Sequence, residues 1–297
     1  MAVAQNRRKK QVSFYEVQTV DGRAIDEPTD WNSMLIDIQS DPQEHRKHRL
    51  FGVVHWGQVY VHDGTRHLVL AREREDAVSS IDVMTGEIVD EESDSAKPWV
   101  EISVISFLPG TNRFGLVLGN NSSPRVTSLE SWINSHSMFA EDISIAPVLG
   151  KNIEDKINGS AEATMLRVEF EAEGSLERAG GLFSARRELR QDFGPITVEI
   201  ALKVKGRVSP SRETERMRIS DAAKGLIGSD FSKAVVEIVK YDDLGEAHRE
   251  DINYLKDRIT RKEWIEVVNE DGKSVRIQSA VEAIKRAAEK RQGDLWG

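Results

Sequence analysis

The chain has 297 residues, of which 31% are charged and 39% are hydrophobic, and its formal net charge is −9. It contains no cysteine, which excludes disulfides, thiolate metal sites and cysteine nucleophiles. Its apolar runs are too short to span a bilayer, and no apolar segment follows the basic residues 7–10 as it would in a secretory signal, so we expect a cytoplasmic protein.

Two domains are expected from the chain length and from a change of pattern near residue 150. Residues 1–11 are expected to form a flexible basic arm. Residues 12–150 are expected to form an N-terminal α+β domain, and residues 159–297 a C-terminal α+β domain with a terminal amphipathic helix. The predicted fold class is therefore α+β, with a mostly antiparallel sheet and a few helices in each domain.

The N-terminal domain is predicted to begin with a strand over Val12–Val20 and a helix that Asp30 N-caps, because apolar residues recur behind Asp30 at helical spacing. Gly57 is expected to break the next strand group, and Asp63-Gly64 to turn a hairpin. A capping box of Thr127 and Glu130 is expected to open a short helix. The remaining predicted strands are Leu50–Trp56, Gln58–His62, Arg66–Ala71, Val100–Leu108, Arg113–Leu118 and Ile143–Val148.

The C-terminal domain is predicted to contain longer alternating strands and one amphipathic helix. The helix should be opened by a capping box of Ser279 and Glu282 and should bury an apolar stripe that includes Ile284. A weak helix is expected over 222–228. The predicted strands are Thr164–Glu171, Ile196–Lys205, Ala234–Tyr241 and Trp264–Val268.

Common catalytic motifs are missing from the sequence: it has no GxxxxGK[ST], HExxH, GxSxG or GxGxxG pattern. We therefore expect no catalytic residue, no cofactor and no bound metal. His62 and His67 flank a hairpin turn and could ligate a metal across the strands, but exposed hairpin histidines are the alternative. The six carboxylates of residues 82–94 could bind a cation, or could form a solvated, self-repelling loop.

A basic segment within this acidic chain is the main candidate for a binding site. Arg178–Arg218 holds ten basic and five acidic residues, a net charge of +5. Strict alternation over Ile196–Lys205 predicts an outward row of cations on one strand, and such rows match the phosphates of a nucleic acid. The proposed row is Lys203, Lys205 and Arg207, with Arg186, Arg187 and Arg190 on the flank of a preceding helix.

Two interpretations of this segment remain open. One is a DNA-binding face. The other is an ordinary solvent-exposed sheet face whose lysines form ion pairs with Glu199 and its neighbours. No aromatic residue is interleaved with the cations of the row 203–207 or of the flank 186–190, which favours duplex phosphate contact over base stacking. Arg212, Arg216 and Arg218 are expected to be loop charges.

One stretch also resembles a known family. Ser106–Asn134 reads SFLPGTNRFGLVLGNNSSPRVTSLESWIN, an apolar strand, a glycine turn, a second strand, a proline-containing loop and a helix. Similar pieces follow in order elsewhere, including Val59–Gly64 before Leu68-Val69-Leu70, and Val235–Lys240 before an acidic glycine turn. In this order the chain resembles the lambda-phage RexA-like phage exclusion protein family.

The resemblance implies a homodimeric, two-domain protein that binds double-stranded DNA without strong sequence preference. Such a protein serves a prophage-encoded exclusion system of the abortive infection type, together with a membrane protein partner and without a small-molecule substrate. The family's basic strands correspond here to Lys203, Lys205, Arg207 and Lys240. The chain departs from the family in its basic residues 7–10, its longer acidic loop, its 207–233 region and its helix ending in Lys290-Arg291.

Two other classes of function remain open. An acidic protein-interaction scaffold or regulator in phage defence would dock partners through residues 82–94 or through the C-terminal helix. An unrecognised nuclease would use carboxylates that the sequence does not single out. A scaffold would not bind labelled duplex DNA, whereas a DNA-binding protein would. A nuclease would cleave the duplex when magnesium is added.

Overall fold

The computed structural model describes residues 6–20, 23–74, 78–81, 88–91, 99–150, 162–171, 197–204, 212–224, 233–241, 247–253, 258–268 and 274–296. Within these ranges the protein is α+β, built from antiparallel sheets and a few helices, which confirms the predicted fold class. Among the described residues, no helix combines the length and the apolar character needed to cross a membrane.

The strands are β1 (Arg7–Thr19), β2 (Lys47–Leu50), β3 (Val53–His62), β4 (Thr65–Glu73), β5 (Val78–Ile81), β6 (Ile88–Glu91), β7 (Val100–Phe107), β8 (Arg113–Leu118), β9 (Ile143–Pro147), β10 (Glu162–Glu171), β11 (Thr197–Lys203), β12 (Lys233–Tyr241), β13 (Ala247–Asn253) and β14 (Thr260–Glu266). The helices are α1 (Trp31–Ser40), α2 (Val126–Ser135), α3 (Glu213–Lys224), α4 (Ile277–Glu289) and the short α5 (Gln292–Leu295). A 3-10 turn, Gln43–Arg46, precedes β2.

The long strand β1 organises the larger sheet, whose order is β14-β1-β8-β7-β4-β3-β2, with β9 also paired to β1. Its first half pairs with β14 from Arg7 opposite Glu266 to Ser13 opposite Thr260. Its middle pairs with β8, and its last residues pair with β9. The expectation of a flexible arm up to residue 11 is therefore wrong for residues 7–11. On one side, the backbone of these residues pairs with β14, a strand from the other end of the sequence.

Helices cover both faces of this sheet. Trp31 and Leu35 of α1 pack with Leu129 and Trp132 of α2 in a core on one face. On the other face, the alanine-rich side of α4 packs around Ile284 against residues of β1, β7 and β8. Because both faces are covered, β7 and β8 are buried along most of their length instead of alternating between core and solvent.

Two glycines let the helices approach the sheet closely. A Cβ atom at Gly57 would overlap the ring of Trp132, and one at Gly115 would overlap the side chain of Ile284. The expectation that Gly57 breaks a strand is wrong, because β3 runs through it without interruption. Its missing side chain serves the packing of α2 rather than a turn.

The sequence signals for helix ends and turns are confirmed in some places and wrong in others. Asp30 caps α1 as predicted, accepting a hydrogen bond from the Ser33 amide at 3.1 Å. The Asp63-Gly64 hairpin is also confirmed, with positive φ angles of 50° and 73°. Both predicted capping boxes are wrong, because α2 and α4 begin one and two residues before the Thr and Ser of their motifs.

The capping-box residues instead tie the helices to strands. Glu130 accepts a hydrogen bond from the Ile145 amide of β9 at 2.8 Å. Ser279 Oγ accepts one from the Glu266 amide of β14 at 3.0 Å. These side chains therefore satisfy backbone donors of the sheet rather than donors of their own helices.

A second, four-stranded sheet has the order β11-β10-β12-β13 and is covered on one face by α3. Arg216 of α3 is buried and forms an ion pair with Glu162 of β10, so the expectation that Arg216 is a loop charge is wrong. Arg212 directly precedes α3, and Arg218 lies on its exposed side. A third sheet, β5 with β6, is described by its backbone pairing alone.

The predicted boundary of the C-terminal domain does not fit these sheets. β14 and α4 lie within the predicted range 159–297, but β14 pairs with β1 and α4 packs on the larger sheet. The four-stranded sheet is thus a segment inserted between two parts of the chain that build the larger sheet together.

Candidate nucleic-acid interface

Of the basic row predicted from the sequence, the structure describes one side chain. Lys203 is exposed at the end of β11, an edge strand, and forms no ion pair with any described residue. Lys240 is opposite His248 in the β12–β13 register, but its side chain is outside the described part. The other predicted contact residues lie outside the described residues: Lys205, Arg207, Arg186, Arg187 and Arg190.

The sheet face around Lys203 carries charges of both signs. β11 alternates between exposed and partly buried residues as predicted, which places Glu199 and Lys203 on the same outer face. Arg167 of the neighbouring strand pairs with Glu199 at 3.1 Å, and Arg249 pairs with Glu237 at 3.2 Å. The charges on the described part of this face are therefore partly neutralised by ion pairs. Lys203 lies at a corner of the face and has no ion pair with a described residue.

A denser group of cations lies where β1 pairs with β14. Residues 7–13 and 258–266 contain seven basic and two acidic residues, a net charge of +5 in a chain of −9. We call this surface the basic edge, and it includes two cations that α4 and its C-cap add beside β14. Its basic residues are Arg7, Arg8, Lys9, Lys10, Arg258, Arg261, Lys262, Arg286 and Lys290.

The outer face of the basic edge, opposite to α4, combines cations with an exposed indole. Strand alternation places Arg7 and Lys9 of β1 beside Glu266, Trp264 and Lys262 of β14. Lys9 Nζ lies 5.3 Å from the centroid of the Trp264 ring, a cation–π contact, and Trp264 remains 54% exposed. Arg7 pairs with Glu266 at 3.3 Å. Within the described ranges, Lys9 and Lys262 form no ion pair.

The helix-facing side of the basic edge surrounds one carboxylate with three cations. Glu263 accepts hydrogen bonds from Lys290 at 2.8 Å and Arg261 at 3.0 Å, and Arg286 Nε lies 3.8 Å away. Burial alone would raise the pKa of Glu263, but the hydrogen bonds and charges of Lys290 and Arg261 outweigh it and hold this pKa below its ordinary value. Arg286 also lies 3.8 Å from Glu282, so three cations face two anions and this side keeps a positive balance.

A small polar pocket of about 190 Å³ continues the outer face along the two strands. Gln11 and Ser13 of β1 line it opposite Thr260, together with Tyr15 and Arg258. Outward side chains recur about every 7 Å along a strand, so the pocket begins one such interval beyond Lys9 and Trp264. The outer face is therefore a continuous strip of cations, an exposed indole and a polar recess.

Sequence reasoning missed the basic edge because its two halves are far apart in the chain. Residues 7–10 looked like a free arm, and residues 258–266 carry two acidic residues that hide their positive balance in a local count. The pairing of Arg7 with Glu266 joins positions 259 residues apart. The one available signal was the basic run itself, which continues directly into a predicted strand.

The histidines at the β3–β4 hairpin do not form the suggested metal site. His67 lies opposite Tyr60 rather than His62, and it is buried, not exposed. Its Nδ1 is 2.9 Å from Ser106 Oγ, and its Nε2 has no hydrogen-bond partner. In the described part of the chain, no three His, Asp or Glu side chains form a group that could hold a metal ion. Most of the acidic loop 82–94 lies outside the described residues.

Two comparisons with known proteins identified no related family or protein. A scan against protein-family models found no match, and neither did a search of curated proteins. The resemblance to the RexA-like exclusion proteins stays a prediction from the sequence.

Proposed function

We propose that this protein binds double-stranded DNA without sequence preference, through contacts between its basic residues and the phosphate backbone. The observation that carries the proposal is the basic edge, whose two strand segments, 7–13 and 258–266, have a net charge of +5 on a protein of net charge −9. Clustered lysine and arginine side chains bind phosphates and release counterions, whatever the overall charge of the protein.

An exposed edge strand also carries charge for another reason, which is to prevent pairing with the edge of another sheet. That reason accounts for Arg261 and Lys262 on β14. It applies also to Arg7–Lys10 of β1, which pair with β14 on one side and have no β8 partner on the other. It does not require cations to cluster on both of the paired strands, which here reach a net charge of +5. A phosphate-binding surface accounts for this clustering of cations.

The row predicted around Lys203 is proposed as a second contact, since Lys203 is exposed and free of ion pairs among the described residues. The homodimer, the membrane protein partner and the role in prophage-encoded phage exclusion rest on the sequence resemblance alone. They are part of the proposal and depend on DNA binding being observed first.

The test compares two doubly substituted proteins that lose the same charge. Lys9→Ala with Lys262→Ala removes cations from the basic edge. Lys47→Ala with Arg49→Ala removes cations from β2, the opposite edge of the same sheet, where Lys47 also lies over a tryptophan, Trp56, at 4.5 Å. Affinity for unrelated duplexes is measured by fluorescence anisotropy over a series of salt concentrations.

The first variant should bind every duplex more weakly and should lower the slope of log affinity against log salt by about two, roughly one for each lost phosphate contact. The β2 variant should keep nearly the full affinity and slope. Equal losses in both variants would mean that overall charge, and not the basic edge, governs binding. No binding by the unmodified protein would refute the proposal, and addition of magnesium to the same mixtures reveals any cleavage.

A further inference from the structure

The indole of Trp264 differs from most of the tryptophans of this protein. Four of the six donate a hydrogen bond from the indole nitrogen: Trp31 to Thr111, Trp56 to Glu73, Trp132 to Arg46 and Trp296 to Pro109. Trp264 and Trp99 donate none to any described residue, and they are the most exposed, at 54% and 53%. An exposed indole costs free energy in water unless a partner covers it.

The surroundings separate these two exposed tryptophans. Trp264 lies on the outer face of the basic edge, next to Lys9 and between the outward positions of Lys262 and Glu266. Trp99 directly precedes β7, near Arg74, which pairs with Glu101 at 3.6 Å. Of these two sites, only that of Trp264 joins an exposed ring to an excess of cations among the described residues.

This combination matches the chemistry of a nucleic acid with unpaired bases. Base stacking on an aromatic ring is tolerant of sequence because every base has a flat π-face, and nearby cations hold the phosphates. The bases of a duplex are already stacked on each other and offer no face to a ring on a protein surface. The polar pocket formed by Gln11, Ser13 and Thr260 adds donors and acceptors at the next outward interval along the strip.

We propose that the outer face of the basic edge binds single-stranded nucleic acid, with one base stacked on Trp264 and the neighbouring nucleotide at the pocket. Lys9 and Lys262 contact the flanking phosphates. This inference rests on the proposed nucleic-acid binding and deepens it, since it assigns a preferred strand state to the same surface. It also revises the expectation from sequence that stacking is disfavoured, which was based on the lack of aromatic residues within 186–190 and 203–207.

The experiment measures affinity for a fluorescent oligothymidylate and for a duplex of the same length, in the full chain at one salt concentration. Trp264→Ala removes the stacking surface, Trp264→Phe keeps a smaller ring, and Trp99→Ala removes the matched exposed indole elsewhere. Trp264→Ala should weaken binding of the single strand by about tenfold or more, whereas its duplex affinity should change by less than about twofold. Trp264→Phe should retain most of the single-strand affinity, and Trp99→Ala should behave like the unmodified protein.

A second readout detects the stacking directly. Oligothymidylate should quench part of the tryptophan fluorescence of the unmodified protein and of Trp99→Phe, and this part should be missing in Trp264→Phe. Thermal unfolding of each variant verifies that the fold is retained. Trp264→Phe keeps the test decisive if Trp264→Ala fails to fold.

The outcomes separate the inference from the proposed function. If the protein binds the duplex but not the single strand, or if Trp264→Ala and Trp99→Ala are indistinguishable on the single strand, the stacking inference is wrong and duplex binding stands. An equal loss of both affinities in Trp264→Ala also refutes it, because the ring would then maintain the structure of the basic edge and would not stack on a base. Absence of binding to either nucleic acid refutes both proposals.

Discussion

Lowering the pH from neutral to about 4 should destabilise the protein through His67. This imidazole is 1% exposed, on the face of β4 that α4 covers, and its Nδ1 is hydrogen-bonded to Ser106. Burial, together with the charges of Lys285 and His62, lowers the pKa of His67 from 6.5 to about 4. The folded protein therefore holds the neutral form of a side chain that the unfolded chain protonates readily.

The sign and size of the effect follow from this difference. Because the pKa of His67 is lower in the folded state, its contribution to stability is complete above pH 6.5 and is lost as the pH falls towards 4. At about 1.4 kcal/mol for each pKa unit, the loss amounts to roughly 3 kcal/mol, a sizeable part of the 5–15 kcal/mol typical of a folded domain.

Urea unfolding at a series of pH values measures this loss when the protein is compared with His67→Gln, a neutral side chain that cannot take up the proton. The difference in unfolding free energy between the two proteins should shrink by roughly 3 kcal/mol between neutral pH and pH 4. The exposed His45→Gln serves as the control and should change the pH dependence little. A difference that stays constant over this range would refute the buried, neutral assignment of His67.

Two further predictions concern packing and buried charge. Gly57→Ala should lower the free energy of unfolding by about 1–3 kcal/mol, because the new Cβ overlaps the Trp132 ring; urea denaturation measures this, and an unchanged midpoint would show that α2 can move away freely. Arg216→Met alone should cost about 3–5 kcal/mol by removing the buried cation that pairs with the Glu162 carboxylate, whereas adding Glu162→Gln should restore part of the loss. An additive loss in the double variant, measured by the same method, would contradict the direct pairing.

The sequence predicted the elements whose signals are local. The Asp63-Gly64 hairpin depends on two adjacent residues that tolerate positive φ, and the cap of α1 depends on Asp30 and the amide three residues later. The alternation of β11 is also local, because one face of a strand is buried and the other is not. Such signals need no knowledge of the partner strand.

The predictions that were wrong concern features that depend on residues far away in the sequence. The side chains of Glu130 and Ser279 fit capping boxes by spacing, but the amides of Ile145 and Glu266 compete for them successfully in the folded protein. The strand character of residues 7–11 likewise exists because β14 pairs with it. The candidate interface is the clearest case, because neither half of the basic edge is a site until the two strands meet.

The pairing of β1 with β14 also constrains how the protein folds during synthesis. A chain that has been translated only as far as β9 has β1 paired along its middle and end, but its basic first half has no partner strand. α4, which covers one face of the larger sheet, is made later still. Contacts that join positions 259 residues apart close slowly and late, because the loop entropy is lost before the contact forms. The basic edge is therefore assembled last, and a truncated or unfinished chain presents no complete surface to a nucleic acid.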